Sequence, residues 1–180
     1  MKILVVIPAK GDSKRLPKKN LYIVKGKPMI YWAIKACKDS KYNLDVWVNT
    51  DSKEVEKVAS KYGVNVHERS KNLLHPETFK MEIIRDTLIR VSNKKYNPDL
   101  VISLQANSPE ITGKDIDGAI DMLLKYKLNE VFSVDDNMVQ NGAIRVMKNT
   151  YTFQKDLSTY CGVYVCNLVD IHYKEDLEKI

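Results

Sequence analysis

Residues Ile3 to Ile7 form an unbroken apolar run, ILVVI. A short run of that kind reads as a strand buried on both faces, and such strands occur in parallel sheets covered by helices on either side. The chain is thereby restricted to α/β architectures before its other residues are read. The character then changes abruptly. Lys10, Lys14, Arg15, Lys18 and Lys19 fall within ten residues, with Gly11 and Ser13 among them and Pro17 stiffening the exit. A buried strand that runs into a small-residue, cationic loop is where α/β proteins bind phosphates. Ligands of open parallel sheets sit beyond the carboxyl ends of the strands, and such a loop presents backbone N–H groups and ammonium charges to a polyphosphate. A solvated basic loop is the plain alternative, and the distribution of charge weighs against it. The first 38 residues hold ten Lys/Arg and one Asp, a balance of +9. The remaining 142 carry 19 basic and 22 acidic residues, so the whole net charge of +6 originates in the first strand, loop and helix.

Several classes are disfavoured. There is no GxxxxGK[ST], which argues against a P-loop nucleotidase, and no GxGxxG, which argues against an NAD-binding domain. The positive charge is confined to one segment without interleaved aromatics, so a small polyanion is expected and nucleic acid is not. At 180 residues, with 44% hydrophobic and 29% charged positions, one domain spanning 1–180 is expected. No apolar run approaches the roughly 20 residues needed to span a bilayer, so no membrane partner is expected. The amino-terminal run is short and followed by charge, unlike a signal peptide. Cys37, Cys161 and Cys166 are odd in number and widely spaced. Reduced thiols in a cytoplasmic protein fit that pattern better than a disulfide framework or a zinc site.

Along the chain, strand and helix patterns alternate. Leu21 to Val24 is short and apolar, and Pro28 suits the first turn of a helix. Met29, Ile30, Ala33, Ile34 and Cys37 recur at helical spacing to about Lys38. Leu44 to Val48 is the second strand. Asp51 is the expected N-cap of the next helix, with Glu54 completing a capping box, and Gly63 its stop. Val64 to His67 is a third strand, and its loop to Pro76 carries Arg69 and His75. A helix from about Glu77 to Val91 turns Met81, Ile84, Leu88 and Val91 inward. Leu100 to Leu104 is a fourth buried strand, and its carboxyl end, Gln105-Ala106-Asn107-Ser108-Pro109, is polar, again marking a ligand edge. Thr112 or Gly113 caps a helix with Ile116, Ala119, Ile120, Leu123 and Leu124 on one face. Glu130 to Val134, Ala143 to Met147 and Tyr160 to Cys166 are further strands, and a short helix begins near Tyr173. The alternation predicts a three-layer α/β/α sandwich with a mainly parallel sheet built from right-handed crossovers.

The opening stretch resembles the signature of the sugar-acid cytidylyltransferases, the acylneuraminate and Kdo synthetase family. The matching positions are Pro8-Ala9, Lys10, Gly11, Ser13 and Lys19-Asn20. The likeness continues in order along the chain. Asn49-Thr50-Asp51 with Lys61-Tyr62-Gly63-Val64 resembles the family's second strand-helix unit, and Arg69 matches the basic residue after its third strand. Leu104 to Pro109 resembles Leu-Gln-Pro-Thr-Ser-Pro. Asn141-Gly142-Ala143-Ile144 and Cys161-Gly162-Val163-Tyr164 both resemble an Asn-Gly-Ala-Ile-Tyr strand. Asp170 to Leu177 resembles Asp-Ile-Asp-Thr-Glu-Glu-Asp-Leu.

The resemblance implies a Rossmann-like fold of the nucleotide-diphospho-sugar transferase type. It also implies transfer of CMP from CTP to the anomeric hydroxyl of a sugar acid, Mg²⁺ as cofactor and a homodimer. By the same resemblance, Lys19 and Lys10 are the catalytic cations. Ala9, Lys10, Gly11, Ser13, Lys14, Lys19, Asn20 and Arg69 hold the nucleotide. Gln105, Asn107 and Ser108 face the acceptor, and Asp170 binds the metal. For Gln105 and Asn107 the local alternative is capping of the following loop. For Asp170 it is the N-cap of the last helix.

Several positions depart from the family. Its usual Arg is Lys10, and a common Gly is Arg15. Its metal-binding Asp-x-Asp is Asp170-Ile171-His172 here, and His is a poor ligand for a hard ion. The Kdo branch's metal-binding Asp is Asn107. Glu110-Ile111 replaces the segment that carries a basic anchor for the sugar acid. The segment from about 135 to 165 is a shortened dimerisation and acceptor region. Two readings follow: an active cytidylyltransferase with an unusual acceptor, or a nucleotide-binding or assembly protein that kept the fold with weak or lost catalysis. A glycosyltransferase of similar fold is less favoured, because no Asp-x-Asp follows a central strand.

Overall fold

The computed structural model describes residues 1–13, 15–75 and 77–180. In chain order its elements are β1 (Ile3–Pro8), β2 (Ile23–Val24), β3 (Lys27–Pro28), α1 (Met29–Asp39), β4 (Leu44–Thr50), α2 (Lys53–Lys61), β5 (Asn65–Glu68), α3 (Lys80–Val91), β6 (Leu100–Leu104), α4 (Gly113–Lys125), β7 (Glu130–Val134), β8 (Gln140–Lys148) and β9 (Cys161–Val165). β2 and β3 form a small separate hairpin. The other seven strands form one sheet in the order β5-β4-β1-β6-β8-β7-β9. β8 runs antiparallel to both its neighbours, while the other pairings within this sheet are parallel.

The apolar run explains the centre of the sheet. Ile3, Val5 and Ile7 point to the face packed by α1, α2 and α4. Leu4 and Val6 point to the opposite face, where Met81, Ile84, Leu88 and Val91 of α3 cover them. The three layers and the mainly parallel sheet are those expected. On the α3 side a single helix covers the sheet, and residues 149–158 lie beside it. Arg85 of α3 holds them, its Nε donating to Thr152 O at 2.7 Å and its Nη2 to Gln154 O at 2.7 Å.

Local expectations are corrected at several points. Asp51 does not cap α2. Ser52 does, its hydroxyl accepting from Val55 N, because Asp51 is drawn away to Gly11. Pro28 stands just before α1 in extended conformation and so outside its first turn. α3 begins at Lys80 instead of Glu77, since the Thr78 N–H bonds back to His75 O and keeps that segment in a turn. The last helix is a 3-10 segment, Lys174–Lys179, with Tyr173 at its N-cap, so Asp170 does not cap it. Thr112 caps α4 in a reciprocal box with Asp115. In the region expected to dimerise, Val146 and Met147 are fully buried within the chain. They alternate across β8 and are covered on both faces, so neither is available to a partner.

Candidate functional site

The strand order locates a crevice. From β1 the chain moves out to β4 and β5, then returns to β6 on the other side of β1. Ligands of open α/β sheets bind at such a reversal, beyond the carboxyl ends of the strands. Here the two loops flanking the reversal are the basic loop after β1 and the polar loop 105–109 after β6. The carboxyl-terminal segment lies between them. The Ile171 N–H donates to Asn107 O at 2.9 Å, and the Ile171 side chain packs with Leu16, Val24 and Met29. The Arg15 guanidinium lies 5.5 Å from the Tyr173 ring centroid.

On the β1 side, much of the loop's backbone is already committed. The Ala9 N–H donates to Asn49 O at 2.9 Å, and the Gly11 N–H donates to Asp51 Oδ1 at 2.7 Å. These two N–H groups are therefore not free for a phosphate, contrary to the expectation of a backbone cradle there. Gly11 is required by proximity, because a Cβ on it would lie 2.5 Å from Ser52 Cβ. Ser13 Oγ accepts from Leu16 N at 3.5 Å. Lys10 Nζ donates to Leu74 O at 3.1 Å and ties the basic loop to the loop after β5. Asn20 is buried and donates to Lys10 O at 2.8 Å. Arg69 is buried as well, its Nε donating to Asn49 Oδ1 at 2.9 Å and its Nη2 to Asn49 O at 3.1 Å. Its guanidinium thus fixes the end of β4, and burial lowers its pKa. Lys14 lies outside the described residues.

Lys19 and Lys18 diverge. Lys19 is half-buried, and burial lowers its pKa against the opposing pull of Asp170. Lys18 takes a left-handed backbone conformation and pairs with Glu54 at 2.9 Å in solvent. Lys19 is therefore a partly desolvated cation on the β1 side of the crevice.

On the β6 side, Asp170 is the hub. Its Oδ1 accepts from Gln105 Nε2 at 2.8 Å and from Asn107 Nδ2. Its Oδ2 lies 2.8 Å from His172 Nε2. Asn107 Nδ2 also donates to Ile171 O at 2.9 Å. Gln105 and Asn107 are thus bound to a remote segment instead of capping their own loop. Ser108 is buried, and its hydroxyl has no hydrogen-bond partner among the described residues.

Lys80 is a site residue the sequence did not single out. Its Nζ donates to Gly142 O at 2.9 Å, and burial lowers its pKa while Asp170 opposes that shift. Gly142 has φ +70°, and a Cβ on it would lie 3.2 Å from Gln105 Oε1 and 3.4 Å from Lys80 Nζ. Lys80 and Gln105 therefore meet across this glycine. A lysine in the first turn of an amphipathic helix reads as solvated, and nothing local marks it otherwise.

A family model described as cytidylyltransferase matches residues 4–161. The chain belongs to the cytidylyltransferase family. N-acylneuraminate cytidylyltransferase A of Danio rerio is 35% identical over 132 residues, which is 73% of this chain and 30% of that protein. CMP-N,N'-diacetyllegionaminic acid synthase of Legionella pneumophila is 38% identical over 110 residues, 61% of this chain and 47% of that protein. The chain thus spans less than half the length of these relatives. Among solved structures, CMP:2-keto-3-deoxy-manno-octonic acid synthetase complexed with CTP superposes with a TM-score of 0.78 at 17% identity. The match covers 99% of this chain and 96% of that one, a likeness of fold.

In this chain no cluster of three or more His, Cys, Asp or Glu side chains suited to a metal occurs among the described residues. Asp170 is the one carboxylate of the expected set in the crevice. Mg²⁺ is commonly held by one or two carboxylates together with substrate phosphates and water. The residues therefore fit an ion that arrives with a triphosphate, and they do not form a cage of their own. No helix among the described residues is long and apolar enough to cross a membrane.

Proposed function

We propose that this chain transfers CMP from CTP to the anomeric hydroxyl of a sugar acid. The hydroxyl oxygen forms a bond to the α-phosphorus, and the bond from that phosphorus to the bridging oxygen of the β-phosphate breaks. Pyrophosphate leaves, and the hydroxyl proton is lost. The observation that carries the reading is the placement of half-buried Lys19 and of the Asp170–Gln105–Asn107 cluster on the segments that flank the strand-order reversal, with Asp170 acting electrostatically on Lys19. Lys19 binds the triphosphate and offsets the charge that grows on its oxygens, a role worth most where water is partly excluded. Lys10, Ser13, Asn20 and Arg69 hold the loops that shape the nucleotide pocket, with Lys14 contributing charge. Gln105 and Asn107 hold Asp170 in place, and Gln105 faces the acceptor. Mg²⁺, held by Asp170 and phosphate oxygens, would supply further positive charge to the triphosphate. The free thiols of Cys37, Cys161 and Cys166 fit a reducing, cytoplasmic compartment, and exposed apolar residues near β9 support a homodimer.

The test is ligand stabilisation followed by turnover. CTP with Mg²⁺ should raise the melting temperature more than ATP or GTP does, since a ligand that binds only the folded state stabilises it. Equal shifts for all three would remove the cytidylyl assignment. Pyrophosphate release from CTP with a panel of sugar acids should depend on the acid. A CTP shift without release on any acid would leave the reading of a nucleotide-binding protein with lost catalysis.

A further inference from the structure

A cavity of about 300 Å³ lies beside the crevice on the α3 side of the sheet. Its wall includes Lys80, Ser103, Gly142, Arg145, Lys155 and Leu157. Three of these side chains are cationic. Arg145 is compensated from behind, giving its Nε and Nη2 to Glu130 Oε2 at 3.0 and 2.6 Å, while Glu130 Oε1 takes the Ser158 N–H. Lys80 and Lys155 form no ion pair among the described residues. The cavity wall therefore carries an excess of positive charge, with Asp170 acting on Lys80 from outside that wall.

Two further features suit an anion. The twelve-residue helix α3 starts at this wall, and its N-cap, Phe79, provides no side-chain cap. The Glu82 N–H closes onto Phe79 O at 2.9 Å, and the positive end of the helix dipole faces this wall. Ser103 is 1% exposed and its hydroxyl has no partner among the described residues. A buried hydroxyl left unpaired is costly, and this oxygen is closed off from solvent, so a ligand oxygen relieves it only where the wall shifts to admit one.

We propose that this cavity receives the carboxylate of the acceptor, held by Lys80, Lys155, the guanidinium of Arg145 and the start of α3. The inference rests on the cytidylyltransferase reading and adds to it the means of recognising an acid. The triphosphate is assigned to Lys19, on the β1 side of the crevice. This second cationic site lies over β6 and β8, and Lys80 joins it to Gln105 through Gly142. The chain lacks a basic residue at Glu110-Ile111, where the family carries its sugar-acid anchor. The charge comes instead from α3 and from the 149–158 segment that Arg85 holds in place.

The test uses N-acetylneuraminate and 3-deoxy-manno-octulosonate, each with its methyl ester, on the full chain and on Lys155→Glu and Lys80→Met. Lys155 is exposed, so its variant should keep the fold. Loss of one charge-assisted contact should raise the acceptor KM about tenfold or more, with the CTP-induced melting shift unchanged. The parent should use or bind an acid and reject its ester, and Lys155→Glu should lose that discrimination. An unaltered KM in both variants overturns the proposal, as does a parent that accepts acid and ester alike or binds neither. If CTP gives no shift in the parent, the nucleotide reading fails by itself. The acid-versus-ester melting shift then decides the cavity separately.

Discussion

Lys19 stands half-buried within the electrostatic reach of Asp170, while its neighbour Lys18 turns outward to Glu54. The contrast makes the pair a test of the crevice. Lys19→Ala should weaken CTP binding and raise the barrier to transfer by about 3 kcal/mol, the scale for removing one preorganised electrostatic donor. Lys18→Ala should leave both near the parent, because an exposed ion pair contributes between about 0 and 1 kcal/mol. Equal damage from the two variants would reduce the loop to a diffuse basic patch. Titration offers a second measure. Burial holds the Lys19 pKa below its ordinary 10.5, so its charge is lost, as pH rises, earlier than that of a solvated lysine. CTP affinity should fall correspondingly early on the alkaline side. In the folding equilibrium the sign is opposite: the unfolded chain holds this proton more firmly, so stability rises with pH between the lowered value and 10.5. Lys19→Arg does not titrate in this range and should keep its CTP affinity into the alkaline range. An alkaline limb identical in the parent and Lys19→Arg would assign the titration to another group.

At the scale of elements, the basic loop is aimed by the start of α2. Ser52 takes the cap and releases Asp51 to hold the Gly11 N–H at 2.7 Å. The same approach leaves no room for a side chain at Gly11, with Ser52 Cβ 2.5 Å from the position of an added Cβ. Gly11→Ala should therefore push the loop off β4. Overpacking of this kind costs about 1–3 kcal/mol, visible as a lower midpoint in denaturant and a higher Kd for CTP. A variant matching the parent in both would show that the contact with Ser52 does not position the loop.

For the molecule as a whole, β9 is one of the two edges of the sheet. Tyr160, Val163 and Val165 are exposed along it, and Met138, Val139 and Phe153 are exposed elsewhere in the same region. Unpaired sheet edges with exposed apolar residues favour association, and a second copy of this chain is the proposed partner. Light scattering at micromolar concentration should give twice the chain mass of 20.7 kDa. A species of 20.7 kDa alone would remove the homodimer. Val146 and Met147 belong to the core, so variants at these positions would report on folding and not on assembly.

The layers of this fold and most of its elements follow from the sequence alone, because apolar periodicity is local. Ile3 to Ile7 announces a strand covered on both sides, and the stripe of Met81, Ile84, Leu88 and Val91 announces a helix on a sheet. The concentration of cations after β1 likewise marks one end of that sheet. Tertiary structure decided what periodicity does not encode, namely which distant segment covers which face. It inserted β8 between β6 and β7, burying Val146 and Met147 on opposite sides. It turned Gln105 and Asn107 toward Asp170, partners 65 and 63 residues away, although both side chains had a local alternative. It also brought Lys80 from the start of α3 to Gly142 on β8. A polar side chain carries no mark in the sequence of the remote group it will meet, since its partner is fixed only when the sheet order is complete.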